Sequence, residues 1–150
     1  MAIGTSNVVD TFRRDVMAGD FDFSSTTSQS YKIALYTNSS DLDEDTATYG
    51  DSTATAEVSA TGTNYTTGGN ICTVISVDVD GSVAYIQFAN QSWTSATFGA
   101  DGCLIYNVST STANRTLAVI DFGGTKTATN GTFTVTMPAA GASTSIVRLA

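Results

Sequence analysis

Residues 73–88 read TVISVDVDGSVAYIQF. Apolar and polar side chains alternate on both sides of Asp80 and Gly81, the mark of a strand with one buried and one wetted face. Asp-Gly suits the two positive-φ positions of a type I′ turn, so the stretch is expected to fold as a tight β-hairpin. In that register Val79 opposes Ser82, Val77 opposes Ala84, Ile75 opposes Ile86 and Thr73 opposes Phe88. One face collects Ile75, Val77, Val79, Ala84, Ile86 and Phe88; the other carries Val74, Ser76, Asp78, Tyr85 and Gln87, with Val83. A slip of one residue would scramble both faces, so turn and pattern agree.

Outward from the hairpin the same alternation of Thr, Ser and Val runs on to Met137. It predicts strands at Tyr31–Thr37, Glu57–Ala60, Gly102–Asn107, Thr116–Phe122, Thr132–Met137 and Ser145–Leu149. Asn130-Gly131 reads as a turn, and Pro138 ends the strand before it because it has no backbone donor. About seven to nine short strands at this spacing fit an all-β fold, an antiparallel β-sandwich of jelly-roll type, as one domain over residues 1–150. Residues 6–18 read as one short N-terminal helix with Ser6 as N-cap and Gly19 as its end. Val8, Val9, Phe12 and Val16 share a face of it, so residues 1–20 are expected to dock on the chain's own sheet or on a neighbouring subunit. Residues 38–56 read as a long surface loop and residues 61–70 as a Gly-rich turn.

Composition excludes several function classes. The chain has 150 residues, a net charge of −8 and no histidine. Its six cations, at positions 13, 14, 32, 115, 126 and 148, form no cluster that could neutralise phosphates, so nucleic acid is not an expected partner. The apolar runs are too short to span a membrane. Ser6, Asn7, Asp10, Arg13 and Arg14 interrupt what could have been an export signal, and none is expected. Cys72 and Cys103 lack metal-site spacing and read as small buried thiols in neighbouring strands, with a disulfide left open.

The acidic run from Asp41 to Asp45 resembles a calcium loop only in part: Thr46 and Ser52 stand where glycine and glutamate would be needed, so a solvated loop and no metal are expected. Glu57, Asp101 and Asp121 are nominal acid–base carboxylates, but no local pattern brings them together. Without an imidazole or a phosphate-binding glycine loop, neither catalytic residues nor a cofactor are assigned. Trp93 and Tyr106 read as core rings.

From Glu57 onward an ordered set of segments stands out. Glu57-Val58 leads through Gly62 and Tyr65 to Gly68-Gly69. Phe88 and Trp93 precede Ala96-Thr97. Then come Gly102-Cys103-Leu104-Ile105-Tyr106-Asn107, Asp121-Phe122-Gly123 with Lys126, and Thr129-Asn130-Gly131-Thr132-Phe133-Thr134-Val135. With Phe12-Arg13-Arg14-Asp15 and Lys32-Ile33-Ala34-Leu35-Tyr36-Thr37, this series resembles a family of small tailed-bacteriophage virion structural proteins. The chain departs from the family's pattern by an extra residue before Tyr65.

The resemblance implies a non-enzymatic particle component. A head decoration (cement) protein on the capsid exterior, made in the host bacterial cytoplasm, is favoured over a tail, baseplate or fibre component. A carbohydrate-binding β-sandwich is the more distant alternative. The implied partners are the major capsid protein and the chain itself, as a dimer or trimer, with Val8, Phe12, Val16, Asp41 and Asp43 as expected contact residues.

Overall fold

Two antiparallel sheets hold the strands of the computed structural model, which describes residues 6–24, 29–38, 40–51, 53–109 and 114–150. In chain order the elements are β1 (Asn7–Val8), α1 (Asp10–Ala18), β2 (Tyr31–Tyr36), β3 (Asn70–Ile71), β4 (Val74–Asp80), β5 (Val83–Phe88), β6 (Gln91–Asn107), β7 (Thr116–Val135) and β8 (Val147–Leu149). The larger sheet runs β1-β7-β6-β2-β3 and the smaller β4-β5-β8. Residues 1–5 of the expected docking segment, and Ser39 and Ser52 of the expected loop, lie outside the described residues.

Pairing with β6 sets the faces of β2. Tyr31, Ile33 and Leu35 lie opposite Asn107, Ile105 and Cys103, and Lys32, Ala34 and Tyr36 opposite Tyr106, Leu104 and Gly102. The first row meets the smaller sheet, where Phe88 packs edge-on to Tyr31 at 6.1 Å. The second row receives the long loop, whose Tyr49 ring stacks on Tyr106 at 4.6 Å. With both faces covered, every residue of β2 except Lys32 is buried. Cys72 and Cys103 are buried free thiols. Burial pushes both thiols up, Cys72 to about 12, which keeps them protonated and unreactive.

The helix docks on its own chain. Val9 and Phe12 are fully buried, and Phe12 meets Phe21 at 4.9 Å. Its start differs from the expectation. Asn7 and Val8 pair with Val119 and Ala118 as a short strand, Val9 occupies the N-cap position and no side chain caps it, so Ser6 plays no capping role. A strand partner far along the chain outcompetes a local cap worth about 1 kcal/mol. Gly19 stops the helix in the left-handed conformation, as expected. Asp15, buried on this helix, receives Arg14 at 2.6 Å and Arg115 at 2.5 Å, which ties α1 to the start of β7.

The hairpin forms one residue later than its expected register. Asp80 pairs with Val83, so the loop is Gly81-Ser82, with positive φ at Gly81 only, as in a type II′ turn. Each partner shifts by two positions, which leaves the faces intact: Val77 now opposes Ile86 and Val79 opposes Ala84. A bulge between Val74 and Ser76 then puts Val74, not Thr73, opposite Phe88 and makes Ile75 the extra residue.

Three further expectations change. Thr116–Phe122 and the expected Thr132–Met137, which stops at Val135, belong to one strand, β7, in which Asn130-Gly131 forms a bulge with Asn130 at φ 47° and no chain reversal. Gly102–Asn107 is the end of the longer β6. Glu57–Ala60 contributes a single bridge, Tyr36 to Glu57.

Gly69 shows how closely the loop must return to β2. At φ +71° a Cβ there would lie 1.7 Å from the Ile33 carbonyl oxygen, whereas Gly62, at φ +74°, faces open space. Gly62→Ala is therefore expected to cost about 1–2 kcal/mol for its left-handed backbone alone. Gly69→Ala should exceed about 3 kcal/mol or abolish folding, since backbone has to move. Urea unfolding of the two variants checks the difference.

Candidate functional site

Beyond the two residues of β3 the outer edge of β2 would be bare, and the chain covers it irregularly. The Val58 N–H donates to the Leu35 carbonyl at 2.9 Å and the Thr37 N–H to the Ala56 carbonyl at 3.0 Å. The Leu35 N–H finds no strand partner and donates to the Tyr65 hydroxyl at 2.9 Å. That hydroxyl in turn donates to Glu57 Oε1 at 2.7 Å, which also accepts the Gly68 N–H at 2.6 Å. Glu57 Oε2 accepts the Tyr49 hydroxyl at 2.6 Å, and the Tyr106 hydroxyl donates to the Gly68 carbonyl at 2.8 Å. One half-buried carboxylate thus ties together three loop segments, at residues 49, 57 and 65–68, against β2 and β6.

The electrostatics follow from that geometry. Burial is the largest cause raising the Tyr36, Tyr49, Tyr65 and Tyr106 phenols, and the negative Glu57 beside them adds to it. Tyr106 is pushed up to about 12. All four stay protonated through the ordinary pH range, and those bonded to Glu57 act as fixed donors. Tyr36 differs: its hydroxyl is buried with no hydrogen-bond partner among the described residues. Chemically the cluster is a clamp that holds a loop.

The other nominal carboxylates are engaged elsewhere. Asp101 accepts the Thr125 hydroxyl at 2.7 Å, and Asp121 accepts the Gly123 N–H at 3.0 Å. Neither shares a partner with Glu57, so the structure does not assemble an acid–base pair from the three. In the acidic run, Leu42 is buried, and Asp43 accepts the Asp45 N–H and the Thr46 hydroxyl in a local turn. No group of His, Cys, Asp or Glu among the described residues is arranged to hold a metal ion.

Of the expected contact residues, Phe12 is closed inside the core, Val8 and Val16 are half-buried on α1 and its approach, and Asp41 and Asp43 are half-buried in the loop. The feature that sequence reasoning missed lies on the smaller sheet. Ile75, Val77 and Val79 of edge strand β4 stand in solvent, with Leu149 of β8. The alternation of Val with Asp over residues 77–80 was the available signal, because edge strands carry charged residues on one face. An apolar cleft of about 430 Å³ also opens along β7, walled by Phe122, Phe133, Val135 and Met137 with Lys126 at its side. No helix among the described residues is long and apolar enough to cross a membrane.

No protein-family model, curated protein or solved structure matches this chain.

The clamp separates two tyrosines. Tyr65→Phe removes a hydroxyl that both accepts and donates, and should cost about 2–3 kcal/mol in denaturant unfolding. Tyr36→Phe removes an unpaired buried hydroxyl and should leave stability within about 0.5 kcal/mol of the parent or raise it.

The raised phenols also fix the alkaline behaviour. The unfolded chain loses these protons near pH 10 while the folded chain holds them. Their contribution is therefore intact below about pH 10 and lost as pH rises beyond it. Absorbance at 295 nm should show them ionising only as the far-ultraviolet circular dichroism collapses; full ionisation with a native spectrum would contradict the clamp.

Proposed function

We propose that this chain is a non-enzymatic structural protein of a tailed-phage virion, and within that class a head decoration protein bound to the outside of the assembled capsid. The observation that supports it is the uncovered aliphatic face of β4 and β8. Contiguous exposed β-branched residues on a soluble scaffold mark a surface that another protein covers. The ordered segments running from Glu57 to Val135 supply the phage part of the reading.

The major capsid protein and further copies of the chain are its partners. An oligomer that touches several capsid subunits at once gains effective concentration, so each single contact can be weak. Val8 and Val16 on the helical side and Asp41 and Asp43 on the clamped loop keep surface for the capsid, whereas Phe12 has none to offer. A sugar-binding module would instead set aromatic rings on its surface, and Trp93 and Tyr106 are buried.

Purified protein mixed with undecorated capsids of a phage that encodes it should bind saturably, with density at symmetry-related positions on the shell. Density confined to the tail would replace cement with a tail, baseplate or fibre role. Absence of binding to any part of the particle would overturn the proposal.

A further inference from the structure

One strand folds around a cleft. Phe122 and Phe133 both belong to β7, yet their ring centroids lie 6.4 Å apart. A straight strand would separate the two positions by about 36 Å. The β7 backbone is therefore sharply bent between them, and the apolar cleft of about 430 Å³ lies in the hollow, with Val135, Met137 and Ile146 in its wall. Ile120, Pro138 and Ile146 also wall a second cleft, of about 450 Å³. Its lining adds Arg13 of α1, Arg148 of β8, Asn7 and Ser145.

The adjoining clefts are sorted by charge. Three of the chain's six cations, Arg13, Arg148 and Lys126, line them, and none of its 14 acidic residues does. Among the described residues these three form no ion pair, not even Arg13 with Asp10 one turn before it, whereas Arg14 and Arg115 are held by Asp15. Arg148 gives one N–H to the Ala142 carbonyl at 3.3 Å and keeps four donors. Ser145 is 4% exposed; its hydroxyl accepts the Gly141 N–H at 3.0 Å, and its own proton meets no acceptor among the described residues. A buried donor without an acceptor is costly, and a bound oxyanion would supply one. In a chain of net charge −8, unpaired cations around a recess without carboxylates make it the place to which an anion is drawn.

From these observations we infer that the two clefts together bind one free amphiphilic anion, a single alkyl chain ended by an oxyanion. Its head group lies between Arg13 and Arg148, within reach of Ser145, and its chain lies in the hollow of β7. Guanidinium forks match carboxylate and phosphate oxygens, and clefts of this size suit small ligands with apolar bodies. Two other occupants fit less well. An added peptide strand needs a regular edge, which the bend in β7 removes. A bilayer is met by protruding apolar groups, and Phe133, Val135 and Met137 are recessed, at 6%, 8% and 7% exposure.

Trp93, the chain's one tryptophan, packs against Phe133 at 6.2 Å, so its fluorescence reports on the hollow. Titration of the intact chain with decanoate or decyl phosphate, below their micelle concentrations, should give a saturable change, with one site by calorimetry. Octanoate, two methylenes shorter, should bind about tenfold more weakly than decanoate. Uncharged decanol should also lose about tenfold or more. Arg13→Gln and Arg148→Gln, both at exposed positions, should each weaken decanoate about tenfold with an unchanged circular-dichroism spectrum. Lys32→Gln, on β2 and outside both clefts, should bind as the parent does.

Neither heat nor fluorescence change with decanoate and decyl phosphate would overturn the inference. Binding indifferent to both arginine substitutions, or decanol bound as tightly as decanoate, would overturn it too. Capture of the chain by anionic phospholipid vesicles without binding of the free amphiphiles would replace it with a membrane surface. The inference stands apart from the proposed virion role, which the capsid-binding experiment decides.

Discussion

Strands β6 and β7 pair from Tyr106 with Thr116 to Gln91 with Val135, and the rest of the larger sheet hangs on that ladder: β1 on β7, β2 on β6, and β3 on β2. At 17 and 20 residues these strands are about three times the usual length. A regular pair of that length would outrun any core a 150-residue chain can build. Register shifts at four places break it, and each bulge bends and twists the ladder locally. The largest lies between the Ala100–Lys126 and Gly102–Asp121 pairs, where residues 122–125 bow out opposite the buried Asp101. The bow brings the Thr125 hydroxyl onto that carboxylate, so the bend and the satisfaction of a buried charge are one event.

The bent ladder offers two ends, and aromatic rings from elsewhere pin both. At the Gln91 end Trp93, Phe98 and Phe133 pack with rings 5.0–6.5 Å apart, and Tyr65 reaches them from the loop. At the other, Phe12, Phe21 and Phe23 carry the helix and its following turn onto Tyr31 of β2. Such ring pairs add about 0.5–1.5 kcal/mol each beyond the area they bury. They also explain why a nine-residue helix, too short to persist alone, is held in place.

What was legible in the sequence was local: the strand at β2, the existence of the hairpin, the glycine stop at Gly19; the hairpin face of Ile75, Val77 and Val79, expected to be buried, stands in solvent on the edge strand β4. What was not legible depended on partners far along the chain. Asn130-Gly131 supplies the left-handed residue that a turn needs and that a bulge needs equally; only pairing with Ala96 and Phe98 of β6 makes it a bulge. Asp80-Gly81 and Gly81-Ser82 are both good hairpin dipeptides, so the turn residues alone do not choose between the two registers. Ser6 has the chemistry of a cap but sits beside a strand partner 115 positions away. The clamp left no trace at all, because its members at 49, 57, 65, 68 and 106 follow no period, and the Cβ-free approach at Gly69 is visible only from β2.

The division of polar and apolar groups is the reverse of what folding alone would favour. The chain draws a carboxylate and a set of phenols into a half-buried cluster, where each needs a partner to offset lost hydration. It leaves valines on β4 in water, although covering such a side chain fully is worth about 1.5–3 kcal/mol. Neither choice maximises the stability of an isolated copy. The first converts a long polar loop, which would otherwise sample many conformations, into a fixed outer layer over β2. The second keeps one flat apolar face available after folding is complete. A held loop on β2 and an uncovered sheet face on β4 are thus two different kinds of surface, and on the proposed function the stability forgone on β4 is recovered when that face is covered.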